Sequence, residues 1–527
     1  MTDYYMIDLV KCCYFNMLLK IIHQANQTSQ RSPTYAYKSE TLLTLHDCAQ
    51  KPEFRGRKMV SAKVFEKKEK LVSVAHVLVL PFPVQGHINP MLQFAKRLAS
   101  KGVKVTLATT IFISKHVHVD FCSVVFDTIS DGYDQGGFFE ACSPKAYHHR
   151  FEVVGSQTLA ELIEKQESSA YPFTCLVYDT SLHWALDVAK TFGLQAVAFS
   201  TQSCAAFIIY YYVYLRRLML PAPGSTISVP GLPPLAVHEL PSLLFEVGSY
   251  QPILAMKLKQ FSNLHKADCV LFNSVEELEA EVLNCMRGVW RIKTVGPAMP
   301  TMYLHKCVAG DKDYGLNYYK PSGVNYMEWL DTKPLGSVVY VSFGSIATVG
   351  AKQMEEFAWG LRDTGKHFLW VVRASEEAKL PKEFKEERRD KGLVVTWCCQ
   401  MEVLAHKAVG CFVTHCGWNS ILEALTLGVP MLGVPLWTDQ PINAKYVEDV
   451  WEVGLRARVD KNGIVTREEM KLRVKEAIQG KRGKDIKNRA CKWRKLIQEA
   501  ASEGGSSNSN MEEFVKELVN VNWSSFK

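Results

Sequence analysis

Residues 397–440 gather polar and aromatic side chains where apolar runs stop: WCCQMEVLAHKAVGCFVTHCGWNSILEALTLGVPMLGVPLWTDQ. Residues 411–414 read as a buried strand, and His415-Cys416-Gly417 as a tight turn. Trp418-Asn419-Ser420 opens a helix whose inward face is Ile421, Leu422, Ala424 and Leu425. Free N–H groups at a helix start bind anions, and the helix dipole assists. Gly417 lets a phosphate approach the backbone, Asn419 and Ser420 add side-chain donors, and His415 donates from its imidazole. The chemistry implied is a diphosphate cradle that needs no metal. Glu423, one turn into the helix, is placed to accept from ribose hydroxyls. Trp397 ends a preceding strand and offers a flat face to a base. Asp439 and Gln440 follow another strand end, where they suit sugar hydroxyls. Any one of these residues is also an ordinary capping or packing residue, but so many polar groups at strand ends need a partner.

A second set concerns proton transfer. His87 lies in the loop of residues 82–89, between a buried apolar run and a helix start, and imidazole is a base near neutrality. Such a base needs a carboxylate to fix its tautomer. Asp179 ends the run Leu176-Val177-Tyr178-Asp179. Taken alone, His87 is more often a solvated loop histidine, and Asp179 reads first as a cap for the helix that starts near Leu182. Val341-Ser342-Phe343-Gly344-Ser345 is a strand ending in a Gly-Ser turn, a weak signal by itself.

These residues need elements to hold them. Residues 74–80 read as a strand buried on both faces, followed by a helix with Asn89 as N-cap and Pro90 in its first position, then a strand over 103–109. The unit recurs as strand 174–178, helix 182–192 and strand 195–199. After a polar segment at 305–335 it restarts: strand 337–343, helix 352–364, strands 368–372 and 392–396, a short helix at 403–405, strand 411–414, helix 418–427 and strand 430–434. This is α/β alternation, and it predicts two Rossmann-like parallel sheets facing across a cleft, with ligands at the carboxyl ends of the strands. The expected division is an extension over 1–70, one Rossmann-like domain over 71–304, a linker over 305–335, a second Rossmann-like domain over 336–500, and a segment over 501–527 that packs back toward the first domain. The run 207–214, FIIYYYVY, suits either a helix core or an apolar pocket wall.

Composition sets the bounds. Of 527 residues, 47% are hydrophobic and 22% charged, as in a globular protein with a sizeable core. The net charge of +8 is concentrated in residues 1–70, which hold 12 Lys+Arg against 7 Asp+Glu, so the body carries no nucleic-acid footprint. The 15 cysteines show no zinc-ligand spacing and fit a reducing compartment, hence the cytoplasm. No stretch spans a bilayer; the nearest, residues 6–22, is broken by Asp8, Lys11, Asn16 and Lys20. Residues 1–58 lack a persistent apolar face and are expected to lie outside the working enzyme, with Met59 as an alternative start. No G-x-G-x-x-G follows a strand, which argues against a nicotinamide enzyme. His116 and Asp120 have the H-x-x-x-D spacing of one acyltransferase class, but Phe121 stands where glycine is required. Asp311-Lys312-Asp313 has the spacing of a metal-binding pair and reads as solvated linker surface.

Residues 397–440 resemble the signature box of the plant family 1 glycosyltransferases of secondary metabolism, which have the GT-B fold. The likeness runs from about residue 74 to 519, and Phe199-Ser200-Thr201-Gln202-Ser203-Cys204 and Glu503-Gly504-Gly505-Ser506-Ser507 share it. The resemblance implies that Trp397 stacks on uracil, the Cys398 backbone meets the uracil edge, and Gln400 and Glu423 hold ribose. It assigns the diphosphate to His415, Asn419 and Ser420, a further phosphate contact to Ser345, and the sugar to Thr201, Trp418, Asp439 and Gln440, with Gln440 favouring glucose. His87 becomes the base and Asp179 its relay. Cys399 departs from the usual proline or small polar residue. The implied protein is a monomer that uses UDP-glucose as donor, no cofactor and no metal, and a small apolar acceptor: a phenolic, carboxylic acid, steroid or terpenoid.

Overall fold

The computed structural model of the chain describes residues 75–116, 123–220, 226–245, 251–304, 308, 310–315, 323–387 and 391–524. The expectations for residues 1–70, and for Asp120 and Phe121, fall outside the described residues.

Seven strands form the first sheet: β1 (His76–Leu80), β2 (Lys104–Thr110), β3 (Val125–Ile129), β4 (Cys175–Asp179), β5 (Gln195–Ser200), β6 (Cys269–Phe272) and β7 (Ile292–Thr294), in the order β3-β2-β1-β4-β5-β6-β7. Six form the second: β8 (Val338–Ser342), β9 (His367–Val371), β10 (Gly392–Val395), β11 (Val409–Thr414), β12 (Met431–Gly433) and β13 (Gly454–Arg456), in the order β10-β9-β8-β11-β12-β13. All these pairings are parallel. Each sheet reverses its winding once, between β1 and β4 and between β8 and β11. A crevice opens at such a switch point because the flanking connections leave to opposite faces.

Side chains alternate along the buried strands. Val77 and Val79 of β1 pack on Ile88, Met91, Phe94 and Leu98 of the Gln85–Ser100 helix, while Leu78 and Leu80 join the core on the other face. In the second sheet Val339 and Val341 pack on Phe357 and Leu361, and Val338 and Tyr340 face Ile421 and Leu422. The helix Ser506–Ser524 lies on the first sheet. Its Met511, Phe514 and Leu518 share the cluster of Phe94 and Val295, Lys293 pairs with Glu513 at 2.6 Å, and Asn510 Nδ2 donates to the Thr294 carbonyl at 2.9 Å. Among the described residues no helix is long and apolar enough to cross a membrane.

Three expectations are corrected. The first helix starts at Gln85, capped by extended Val84, and not at Asn89 and Pro90; Pro90 sits inside it and Asn89 is buried. The backbone turns early because the N–H groups of His87 and Ile88 both bond to the Val84 carbonyl, at 2.9 and 3.0 Å. The polar segment 305–335 contains a helix, Tyr326–Asp331, with Tyr326 and Leu330 buried; one turn and a half is too short for a legible apolar period. Asp311 is not solvated. It is buried, pairs with buried Lys96 at 2.8 Å and accepts from the Thr301 N–H at 2.7 Å. Only Lys312 and Asp313 are exposed. The aromatic run lies in the helix Cys204–Tyr214, with residues 207–210 in the core and Tyr214 exposed.

Candidate active site

The first switch point joins His87 and Asp179. Leu80 pairs with Tyr178, so the loop after β1 and the end of β4 are neighbours. His87 Nδ1 lies 2.6 Å from Asp179 Oδ2, with Thr201 Oγ1, just past β5, 3.0 Å from the same nitrogen. The Asp179 side chain is 0% exposed and the His87 side chain 21%. Its other oxygen, Oδ1, accepts from the Ser181 N–H at 2.8 Å. Asp179 thus serves the local turn with one oxygen and the histidine with the other, while the following helix takes Leu182 as its cap. Burial pushes the Asp179 carboxyl up, but the charge and hydrogen bond of His87, then Lys257 and the Ser181 N–H, outweigh it and hold it below the usual carboxylate value. An Nδ1–H that donates to the Asp179 carboxylate leaves the lone pair on Nε2.

The second switch point joins residues 342–345 to residues 414–420. Ser342 pairs with Thr414, which sets the turn after β8 beside the turn after β11. The His415 ring fills the space between two glycines. A Cβ on Gly344 would come 2.8 Å from its Nε2, and one on Gly417 2.5 Å. Gly344 also has φ +77°, and Cys416 holds the left-handed φ of 64° that glycine ordinarily takes. Burial pushes His415 down to about 4, which keeps the imidazole neutral. Ser345 stands in the first of these turns, and the Arg373 guanidinium ties down its carbonyl.

Gln400, Ser420 and Glu423 form one network. Gln400 Nε2 is 2.9 Å from Ser420 Oγ and 2.7 Å from Glu423 Oε2, and the Tyr340 hydroxyl donates to Gln400 Oε1 at 3.2 Å. Burial pushes Glu423 up to about 6, against hydrogen bonds from Gln400 and Tyr314. Trp397 is half-buried against the core; Cys398 is buried, its thiol pushed up to about 12 by burial. Asp439 follows Thr438, a residue with φ 54°; its oxygens accept from Thr438 Oγ1 at 2.9 Å and Asn443 Nδ2 at 2.8 Å. Gln440 Oε1 accepts from the N–H groups of Leu436 and Trp437, at 2.8 and 3.0 Å.

Trp418 and Asn419 tie the two sheets together. The Trp418 indole is buried, donates to the Asn273 carbonyl at 2.7 Å and packs near Trp451. Asn419 Nδ2 donates to the Gly86 carbonyl at 2.7 Å. That carbonyl is available because its helical partner would be the N–H of residue 90, which is proline. Hence the helix start carrying His87 and the helix start at Trp418 touch. The sequence reading passed over Asn273, Tyr314, Tyr340 and Lys257. Asn273 carries a legible signal, a polar residue just past a buried strand; Tyr314 is a lone tyrosine in a polar segment. Its hydroxyl donates to Glu423 Oε1 at 2.7 Å.

Known proteins share the sequence and the fold of this chain. The family described as UDP-glucoronosyl and UDP-glucosyl transferase matches residues 75–490. A flavonol 7-O-beta-glucosyltransferase of Arabidopsis thaliana is 46% identical over 447 residues, which is 84% of this chain and 98% of that protein. Mogroside I-E synthase of Siraitia grosvenorii is 44% identical with the same coverage of both chains. An indole-3-acetate beta-glucosyltransferase of Zea mays is 46% identical over 461 residues, 84% of this chain and 98% of that one. Among solved structures, Os79 from O. sativa in complex with UDP superposes with a TM-score of 0.80 at 40% identity, covering 84% of this chain and all of that one. The paired sheets are the GT-B fold of these enzymes. The chain belongs to the UDP-glucoronosyl and UDP-glucosyl transferase family and is a plant-type UDP-glycosyltransferase.

Proposed function

We propose that the chain is an inverting, metal-independent glucosyltransferase that uses UDP-glucose and acts on a hydroxyl or carboxyl of a small apolar acceptor. The observation that carries this reading is the 2.6 Å contact between His87 Nδ1 and the fully buried Asp179 carboxylate. In this mechanism Asp179 accepts the hydrogen bond of the Nδ1–H group and His87 Nε2 takes the proton of the acceptor hydroxyl. The acceptor oxygen bonds to the anomeric carbon from the face opposite UDP as the bond from that carbon to the phosphate oxygen breaks, and its electron pair leaves on UDP. Asp179 steadies the imidazolium that forms. The charge on the departing diphosphate falls on the helix start at Trp418, on Asn419 and Ser420 and on neutral His415, donors already in position and spared reorganisation. Trp397, Cys398, Gln400 and Glu423 take the uridine, Ser345 a phosphate, and Thr201, Asp439, Gln440 and the Trp418 backbone the sugar. The relatives' names, which cover a flavonol, a mogroside and indole-3-acetate, support the acceptor class. A monomer in the cytoplasm fits the reading.

The test is His87→Ala. Turnover of a hydroxyl acceptor is expected to fall roughly 10²-fold or more while UDP affinity stays near that of the parent; turnover at the parent rate refutes His87 as base. Excess chelator is expected to leave the parent rate intact, and strong loss refutes metal independence.

A further inference from the structure

One charged side chain beside the site has no task in this mechanism. Lys257 lies on the helix Gln251–Lys259, half-buried, and forms no ion pair among the described residues, whereas its neighbour Lys259 pairs with Glu152 at 2.7 Å. Lys257 Nζ is 3.4 Å from Ser181 Oγ. The Ser181 N–H bonds to Asp179 Oδ1, so the ammonium stands next to the His87–Asp179 pair. Burial holds the Lys257 ammonium below its ordinary value, against the charges of Asp179 and Asp439, and burial followed by the charge of Lys257 holds His148 low. Neither carboxylate has taken it as partner: Asp179 is committed to His87 and Ser181, and Asp439 to Thr438 and Asn443. Aromatic rings also adjoin the base. Phe82 lies 5.5 Å from His87 and 5.9 Å from His148, and Phe138 lies 6.5 Å from His148, centroid to centroid.

A half-buried ammonium has three donors, one of them on a long bond to a hydroxyl, and among the described residues no carboxylate lies within ion-pair distance of it, a costly state for a charge withdrawn from water. We infer that Lys257 anchors an acidic group of the acceptor, so that the enzyme selects small aromatic carboxylic acids over their neutral counterparts. The inference rests on the glucosyltransferase reading above and adds the residue that sets acceptor charge. A carboxylate on Lys257 would lay its aromatic body against Phe82 and His148, within reach of His87.

The probes are 4-hydroxybenzoate and 4-hydroxybenzamide, which share a phenol and differ in charge. Binding to the UDP complex is measured by calorimetry, and KM and kcat are measured where glucoside forms. The parent protein is expected to hold the acid about 10- to 100-fold more tightly than the amide, the range of a charge-assisted hydrogen bond. Lys257→Met is expected to erase most of that ratio through KM, and Lys257→Arg to keep most of it. Lys257→Gln guards against a Met variant that fails to fold. A parent protein that binds neither probe, or both alike, overturns the inference. So does a Met variant that keeps the ratio, or one that raises only the KM for UDP-glucose, which would assign Lys257 to the donor side. Failure of the glucosyltransferase reading shows differently, as no glucoside from any acceptor, and the binding comparison is read without turnover.

Discussion

Asp179→Asn isolates the relay from the fold. Asn keeps the shape and keeps an oxygen for the Ser181 N–H at 2.8 Å, but it turns an amide N–H toward His87 Nδ1 in place of an acceptor. The ring then holds its proton on Nε2, the nitrogen that must accept one. The imidazolium also loses a fully buried counter-charge 2.6 Å away. The two effects together are expected to lower kcat on a hydroxyl acceptor about 10³- to 10⁴-fold, a rise in barrier of about 4–5.5 kcal/mol. A carboxylate acceptor is already ionised and needs no base, so its loss is expected to be only about 10-fold. The assay is steady-state release of UDP with a phenol and with a carboxylic acid, beside calorimetry of UDP and a melting curve. The parent and variant are expected to bind UDP alike. A variant within 10-fold of the parent on the phenol refutes the relay. Equal losses on both acceptors refute it as well, because they show that Asp179 acts through the fold and not through the proton.

Two more predictions follow from local geometry. Pro90→Ala restores an N–H that competes with Asn419 Nδ2 for the Gly86 carbonyl; KM for UDP-glucose is expected to rise about 3- to 10-fold, and combining it with Asn419→Ala to give less than the sum of the two, a coupling read by a double-mutant cycle. Additive effects would show that the proline is unrelated to the contact. Burial raises Glu423 to about 6, above the ordinary carboxylate value, so the charged form, the one proposed to accept from ribose, is complete only above that pH. UDP affinity is expected to fall as pH drops through about 6, by up to roughly 10-fold at pH 5. Glu423→Gln should flatten that dependence, and a parent affinity that is level from pH 7 to 5 refutes the assignment. The sign for folding is opposite: with a raised value, the group's contribution to stability is full below its ordinary pKa and is lost as pH rises through about 6.

The residues that build each switch point are legible in the sequence because strand ends and helix starts are local events. A buried run that stops at Asp179, a turn at His415-Cys416-Gly417 and a helix that opens at Trp418 each follow from side-chain pattern within about ten residues, and the helix over 418–427 falls where the pattern puts it. The first helix start was misread because Asn89-Pro90 is a strong capping signal, and the competing bonds to the Val84 carbonyl carry none. Asp311 was misread because a charge in a polar segment looks solvated until its partner is known, and Lys96 lies 215 residues away. The same limit governs the site. His87 and Asp179 are 92 residues apart, Asn419 and Gly86 333, Tyr314 and Glu423 109. Which strand ends become neighbours depends on sheet order, and the order β2-β1-β4 is set by how whole faces bury against one another. The sequence by itself determined which side chains stand at the ends of the strands. Only the tertiary structure decided which of them meet, and that Lys257 stands beside Ser181 with no ion pair among the described residues, because burial and pairing belong to the packed sheets and not to any one segment.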